Sequence, residues 1–186
     1  MSLALAGGFS DPATGAARAF RAALNAMSRP GRIETVEDIS APDGLSPAAA
    51  TVLLTLCDGG TSVYLAGASD CDAVRKWLAF HTGAPLSHAG QAAFAVGQWT
   101  DLLPLNRFPL GTPEYPDRSA TLIVEMPRIE ATGAVLRGPG IEKTASLGLP
   151  DAAAFRDNAA RFPLGLDFFF AAGHSLAALP RTTRVD

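Results

Sequence analysis

The 186-residue sequence predicts an α/β fold with one mixed sheet lying between helices, and three observations carry that prediction. Helix-like and strand-like segments alternate through the first half of the chain, as in a layered α/β domain. Strand-like segments dominate the second half, which makes the sheet mixed rather than purely parallel. The chain then closes on two short apolar runs, 168–172 and 176–179, separated by Gly173-His174-Ser175. Runs of this length, bounded by turn residues and without alternation, suit strands covered on both faces. Phe168, Phe169 and Phe170 point to alternate sides of such a strand, so both sides need cover. The two runs read as a hairpin central to the sheet.

Asp11-Pro12 reads as an N-cap with proline in the first helical turn. Phe20, Ala23, Leu24 and Met27 then recur at helical spacing and predict the apolar face, with Arg18, Arg21 and Asn25 outward. Pro30-Gly31 stops this helix. Residues 32–36 alternate like a half-buried edge strand, and 38–44 form a loop. Ser46-Pro47 repeats the cap-plus-proline start. Ala49, Val52, Leu53 and Leu56 share a face while Leu54 lies elsewhere, so the second helix is deeply packed. Asp58-Gly59-Gly60 ends it and feeds a strand at 62–66. Ser69 or Asp70 caps a third helix, with Val74, Trp77, Leu78 and His81 on one face, Arg75 and Lys76 on the other, and Thr82-Gly83 at its close.

A strand is expected at 92–96. The irregular segment 98–119 follows, with four prolines, long enough to be an interaction or functional element. Strands at 120–126 and 134–137 read as a hairpin, and 151–161 as the last helix. Phe108-Pro-Leu-Gly and Phe162-Pro-Leu-Gly are identical, which reads as coincidence or a shared turn shape rather than a duplicated domain.

Composition narrows the class. Apolar residues make up 48% and charged residues 18%, a folded chain with one substantial core. A net charge of −3 makes no general case for nucleic acid or an anionic membrane. No apolar run approaches a membrane span, and the first nine residues lack a signal-peptide pattern. Cys57 and Cys71 form neither a CxxC pair nor a framework, which predicts a reduced, cytoplasmic chain.

The chemistry-bearing residues are scattered. His81 lies on the Trp77/Leu78 face at a helix C-terminus and reads as a packed or dipole-stabilising histidine. His88 falls in a loop and His174 in a turn. No HxH, HExxH or Cys/His spacing predicts a metal site, and no GxSxG, GxxxxGK[ST] or post-strand GxGxxG is present. Leu136-Arg-Gly-Pro-Gly-Ile141 is the nearest anion-binding pattern: a backbone nest with an arginine beside it, or a tight turn leaving a strand. Arg181 and Arg184, flanking two threonines, offer a second place for phosphate or an acidic partner, or a solvated tail. Such a chain, without a self-sufficient catalytic set, fits an interaction or subunit role better than a stand-alone enzyme.

Eight stretches in order carry a family resemblance. They are Phe20-Arg-Ala-Ala-Leu-Asn-Ala-Met-Ser-Arg-Pro-Gly31, Thr51-Val-Leu-Leu-Thr-Leu-Cys-Asp58 with Val63-Tyr-Leu65, Phe80-His-Thr-Gly-Ala-Pro-Leu86, Ala92-Ala-Phe-Ala-Val96, Ala120-Thr-Leu-Ile123, Leu136-Arg-Gly-Pro-Gly-Ile141, Phe162-Pro-Leu-Gly-Leu-Asp167 and Leu179-Pro-Arg-Thr-Thr-Arg-Val185. Together they resemble the PhnH family, the H subunit of the bacterial carbon–phosphorus lyase system, as a single domain over 1–186.

The resemblance implies a three-layer helix–sheet–helix sandwich like the large domain of pyridoxal-phosphate-dependent transferases, without the cofactor. It also implies a homodimer that joins subunits G, I and J. That machinery attaches ribose triphosphate from ATP to an alkylphosphonate and later cleaves the carbon–phosphorus bond. The residues agree on cofactors. Lys76 sits on the polar side of its helix and Lys143 follows a Gly-Pro-Gly turn, so neither lysine suits a Schiff base. Two cysteines cannot supply the ligands of a radical iron–sulfur cluster.

If the chain itself holds a phosphorylated small molecule, Arg32, Arg137, Gly138, Gly140, Arg181 and Thr182 are the expected residues. Two rival readings stand beside this one. The first is a transferase subunit whose active site is completed only in the complex. The second is a pure scaffold, with Phe108, Leu110 and Tyr115 of the proline-rich loop as interface anchors.

Overall fold

The computed structural model describes residues 7–37 and 39–186; residues 1–6, where most of the signal-peptide question falls, and Asp38 lie outside it. Helix α1 (Pro12–Ser28) starts where the sequence places it, with the Asp11 carboxylate accepting the Thr14 N–H. Its buried face differs from the expected one. Gly15, Ala19, Ala22, Ala23 and Ala26 pack inward, whereas Phe20 and Leu24 are 53% and 54% exposed. Small side chains let α1 approach strand and helix neighbours closely, a packing signal that hydrophobic size alone conceals. Helix α2 (Pro47–Leu56), capped by the Ser46 hydroxyl on the Ala49 N–H, is buried through its first two turns as expected. Helix α3 (Asp72–His81) starts after Cys71 and not at the expected cap, because Ser69 is drawn into a 3-10 turn and donates to the Gly44 carbonyl.

The main sheet has six strands. In spatial order they are β2 (Glu34–Thr35), β10 (Ser175–Leu179), β9 (Asp167–Ala172), β6 (Thr121–Glu125), β5 (Phe94–Gln98) and β4 (Val63–Leu65). Strands β4, β5, β6 and β9 run parallel, and β10 returns antiparallel between β9 and β2. The terminal hairpin is thus interior to the sheet and the sheet is mixed, as predicted. The triple phenylalanine divides as alternation requires. Phe169 joins the core beneath α1, α2 and α3, and Phe168 and Phe170 join the core on the other face.

That second face is covered by a composite layer. Helix α4 (Trp99–Leu102) and helix α5 (Ala152–Ala159) contribute Trp99 and Phe155, whose rings stack at 5.0 Å, with Phe155 edge-on to Phe168 at 4.8 Å. Beside them lies a three-stranded sheet of β11 (Arg184–Val185), β7 (Ala134–Arg137) and β8 (Ala145–Leu147). The expected hairpin of 120–126 with 134–137 therefore does not form. β6 is flanked by β5 and β9, so no edge remains for β7, which pairs with β8 and β11 instead. The expected loop at 38–44 also holds a short strand, β3 (Ile39–Ser40), paired with β1 (Gly8–Phe9).

The segment 98–119 is built from α4 and two 3-10 turns. Phe108, expected at an interface, is buried against Tyr64 at 5.9 Å, while Tyr115 is exposed under the Arg118 guanidinium. The two Phe-Pro-Leu-Gly stretches touch: the Gly165 N–H donates to the Leu110 carbonyl at 3.0 Å.

Candidate functional site

The parallel strands end together, and their carboxyl ends meet the start of α2 in a cleft of 830 Å³. Such a crevice outside the strand ends is the usual ligand position of open α/β sheets, and its volume lies in the range of small-molecule sites. Gln98 ends β5 and is followed by Trp99 and Thr100, Glu125 ends β6 and is followed by Met126, and Ser46 caps α2. Glu125 is the single charged residue among those lining the cleft. One of its carboxylate oxygens accepts the Ser46 N–H at 2.8 Å, across 79 residues of chain. Burial pushes the Glu125 carboxyl above the usual range, and the bonds from Ser46 oppose that shift. Sequence reading missed this site because its residues are isolated along the chain. The signal was the strand ends themselves, since three consecutive parallel strands place 66–69, 98–100 and 125–127 side by side.

The basic positions singled out from sequence lie elsewhere, and Arg32, Arg137 and Arg181 each have a carboxylate partner. Arg32 pairs with Glu34 beside the edge strand. Arg137 of β7 donates to Asp186 at 2.9 Å and lies opposite Arg184 in the β7–β11 register. Arg181 is the most enclosed: both carboxylate oxygens of Asp167 accept from its side chain, the Pro116 carbonyl and Ser119 hydroxyl take its remaining reach, and its side chain is 13% exposed. Arg181 and Thr182 edge a shallow depression beside the exposed Phe162.

Gly138 and Gly140 are turn glycines with a packing reason. A methyl on Gly138 would meet the Thr182 carbonyl at 3.1 Å, and one on Gly140 would overlap the Ser28 carbonyl at the end of α1. Both adopt positive φ, 140° and 80°, which favours glycine. The structure thus brings Arg137, Gly138 and Thr182 together. It turns the Arg181 guanidinium to Asp167 and leaves Arg32 with Glu34.

His81 packs on Trp77 and Phe80, with ring centroids 5.1 and 5.0 Å away, and burial lowers its pKa. Of the two expected roles this is the packed one. Among the described residues no group of three His, Cys, Asp or Glu side chains is placed to hold a metal.

Fold and site together define a mixed α/β protein with a strand-end cleft. The family model described as "Bacterial phosphonate metabolism protein (PhnH)" matches residues 7–186. The chain is also 39% identical, over 97% of its length and 94% of the relative's, to alpha-D-ribose 1-methylphosphonate 5-triphosphate synthase subunit PhnH of Rhizobium meliloti (strain 1021). It is 30% identical, over 90% of its length and 84% of the relative's, to HtxG of Stutzerimonas stutzeri, whose name marks it as a candidate C–P lyase subunit. The chain belongs to the PhnH family.

Proposed function

We propose that this chain is the H subunit of a carbon–phosphorus lyase core complex. It acts in the stage that transfers ribose triphosphate from ATP to an alkylphosphonate. The observation that carries this reading is near full-length similarity, 39% over 97% of the chain, to a protein named as a subunit of that synthase. Exposed Phe80, Tyr115 and Phe162 support a chain that meets partners, since large apolar side chains left in water commonly mark contact surfaces. The partners we assign are a second copy of the chain and subunits G, I and J. The compartment is the cytoplasm; no helix of the described residues is long and apolar enough to cross a membrane. The mixed sheet with its cleft at the strand ends supports kinship with the large domain of pyridoxal-phosphate-dependent transferases.

A phosphorylated ligand belongs to this reading at the Arg137 corner. Arg137 is half exposed, and its register neighbour Arg184 is exposed and makes no ion pair among the described residues. Arg181, enclosed by its own acceptors, serves there as support rather than as a contact. The test is co-expression with G, I and J and purification through a tag on this chain alone. Stoichiometric recovery of the others is expected. A clean preparation without them would overturn the subunit reading.

A further inference from the structure

The start of a helix beside parallel strand ends is ordinarily a place for phosphate, because its free N–H groups and dipole attract anions. In this protein that place is already taken. The Ser46 N–H goes to Glu125, Pro47 has no N–H, the Ala48 N–H goes to the Gly173 carbonyl at 2.9 Å, and the Ala49 N–H goes to the Ser46 hydroxyl at 3.2 Å. No donor of the first turn of α2 is left for an incoming anion. Glu125 is held only by Ser46 and makes no ion pair among the described residues, so a largely buried carboxylate stands on the cleft wall without a cation. Close in sequence to the lining residues, the Asp101 carboxylate fills the space that a side chain on Gly67 would take, and Arg128 pairs with Glu130 at 3.4 Å. The cleft is lined besides Glu125 by the apolar Trp99, Met126 and Pro127 and by the polar Gln98 and Thr100.

We infer that the strand-end cleft binds a small planar organic cation, an amidine, guanidine or protonated nitrogen ring, whose N–H groups pair with Glu125. A planar N–H pair meets a carboxylate in the bidentate geometry that makes such contacts strong. The Trp99 ring, Met126 and Pro127 of the lining suit the apolar body of the ligand. Anionic ligands are rejected here, so any phosphorylated molecule binds elsewhere on the chain. This inference does not depend on assembly with other subunits.

The test uses the purified full chain and three probes with the same ring, benzamidine, benzamide and benzoate, titrated by calorimetry with amide chemical-shift mapping. Benzamidine is expected to bind at least ~10-fold more tightly than benzamide, about 1.4 kcal/mol, and benzoate not at all. The shifts should centre on Ser69, Gln98 and Thr100. Glu125→Gln keeps an acceptor for the Ser46 N–H, and its fold is checked in the same spectra; it should erase the preference for the cation. Benzoate binding as tightly as benzamidine would overturn the inference. So would benzamidine shifts outside the cleft, no benzamidine binding at millimolar concentration, or unchanged benzamidine affinity in a folded Glu125→Gln.

Discussion

Arg181 and Asp167 hold the end of the main sheet to the proline-rich segment. Two hydrogen bonds from the Arg181 side chain and one from its backbone N–H reach the Asp167 carboxylate, while the same guanidinium bonds the Pro116 carbonyl and the Ser119 hydroxyl. Arg181→Ala would strand a partly buried carboxylate and two acceptors at once. The expected loss is about 2–4 kcal/mol, below the full cost of breaking a buried pair because Asp167 keeps some water. Arg137→Ala, at a 56% exposed pair, should cost no more than about 1 kcal/mol. Urea denaturation of the two variants checks the contrast. A growth defect from Arg137→Ala with stability intact would point to ligand or partner contact.

Asn158 is the second polar clamp. Its side-chain amide donates to the Leu166 carbonyl and its oxygen accepts the Leu166 N–H, both at 2.8 Å in a buried site. Asn158→Leu removes both bonds and leaves two buried backbone groups without partners. The expected cost is about 2–4 kcal/mol, read as a lowered urea midpoint at unchanged slope.

Glu125 gives a pH dependence of definite sign. Its folded pKa lies above the ordinary value, so the native state holds its proton more tightly than the unfolded chain. Its contribution to stability therefore falls as pH rises from the unfolded value of 4.5 through the raised folded one. Glu125→Gln should be as stable as the parent at low pH and more stable at neutral pH. Denaturation midpoints across that range test it, and equal midpoints at every pH would refute the assigned burial penalty.

The alanine face of α1 predicts opposite outcomes for neighbouring positions. Phe20→Ser and Leu24→Ser, on the exposed side, should change stability by no more than about 0.5 kcal/mol. Ala26→Leu, at a position with no exposure, should cost about 1–3 kcal/mol or more through overpacking. Thermal melts of the three variants decide which stripe faces the sheet.

Much of the fold was legible because local chemistry and tertiary structure agree. The capping pairs Asp11-Pro12 and Ser46-Pro47, the triple phenylalanine and the glycine-bounded turn at Gly173 each act over a few residues. Two features were not legible for a physical reason. Alanines carry little hydrophobic signal, so the close packing of α1 was outweighed by Phe20 and Leu24. The partners of β7 depend on which edges the main sheet leaves open, a property of the whole topology. The cleft was hidden for the same cause: Ser46 and Glu125 are neighbours only after β6 lies between β5 and β9. The proximity of the Gly138 turn to Thr182, from two separate sequence patterns, and the depth at which Arg181 sits both depend on tertiary packing and could not be read from local sequence.

The strand that completes both cores is also made after every other strand of the main sheet except β10. β9 stands between β6 and β10, so until residues 167–172 leave the ribosome the sheet lacks its middle, and the core beneath α1 and α2 lacks Phe169. At synthesis rates of about 5–20 residues per second, the inner faces of helices begun at Pro12 and Pro47 stay uncovered for roughly 6–30 s. The small alanine face of α1 is a mild liability in that interval, far less adhesive than the Val52 and Leu53 of α2. The nascent chain is thus best protected where its finished packing is tightest.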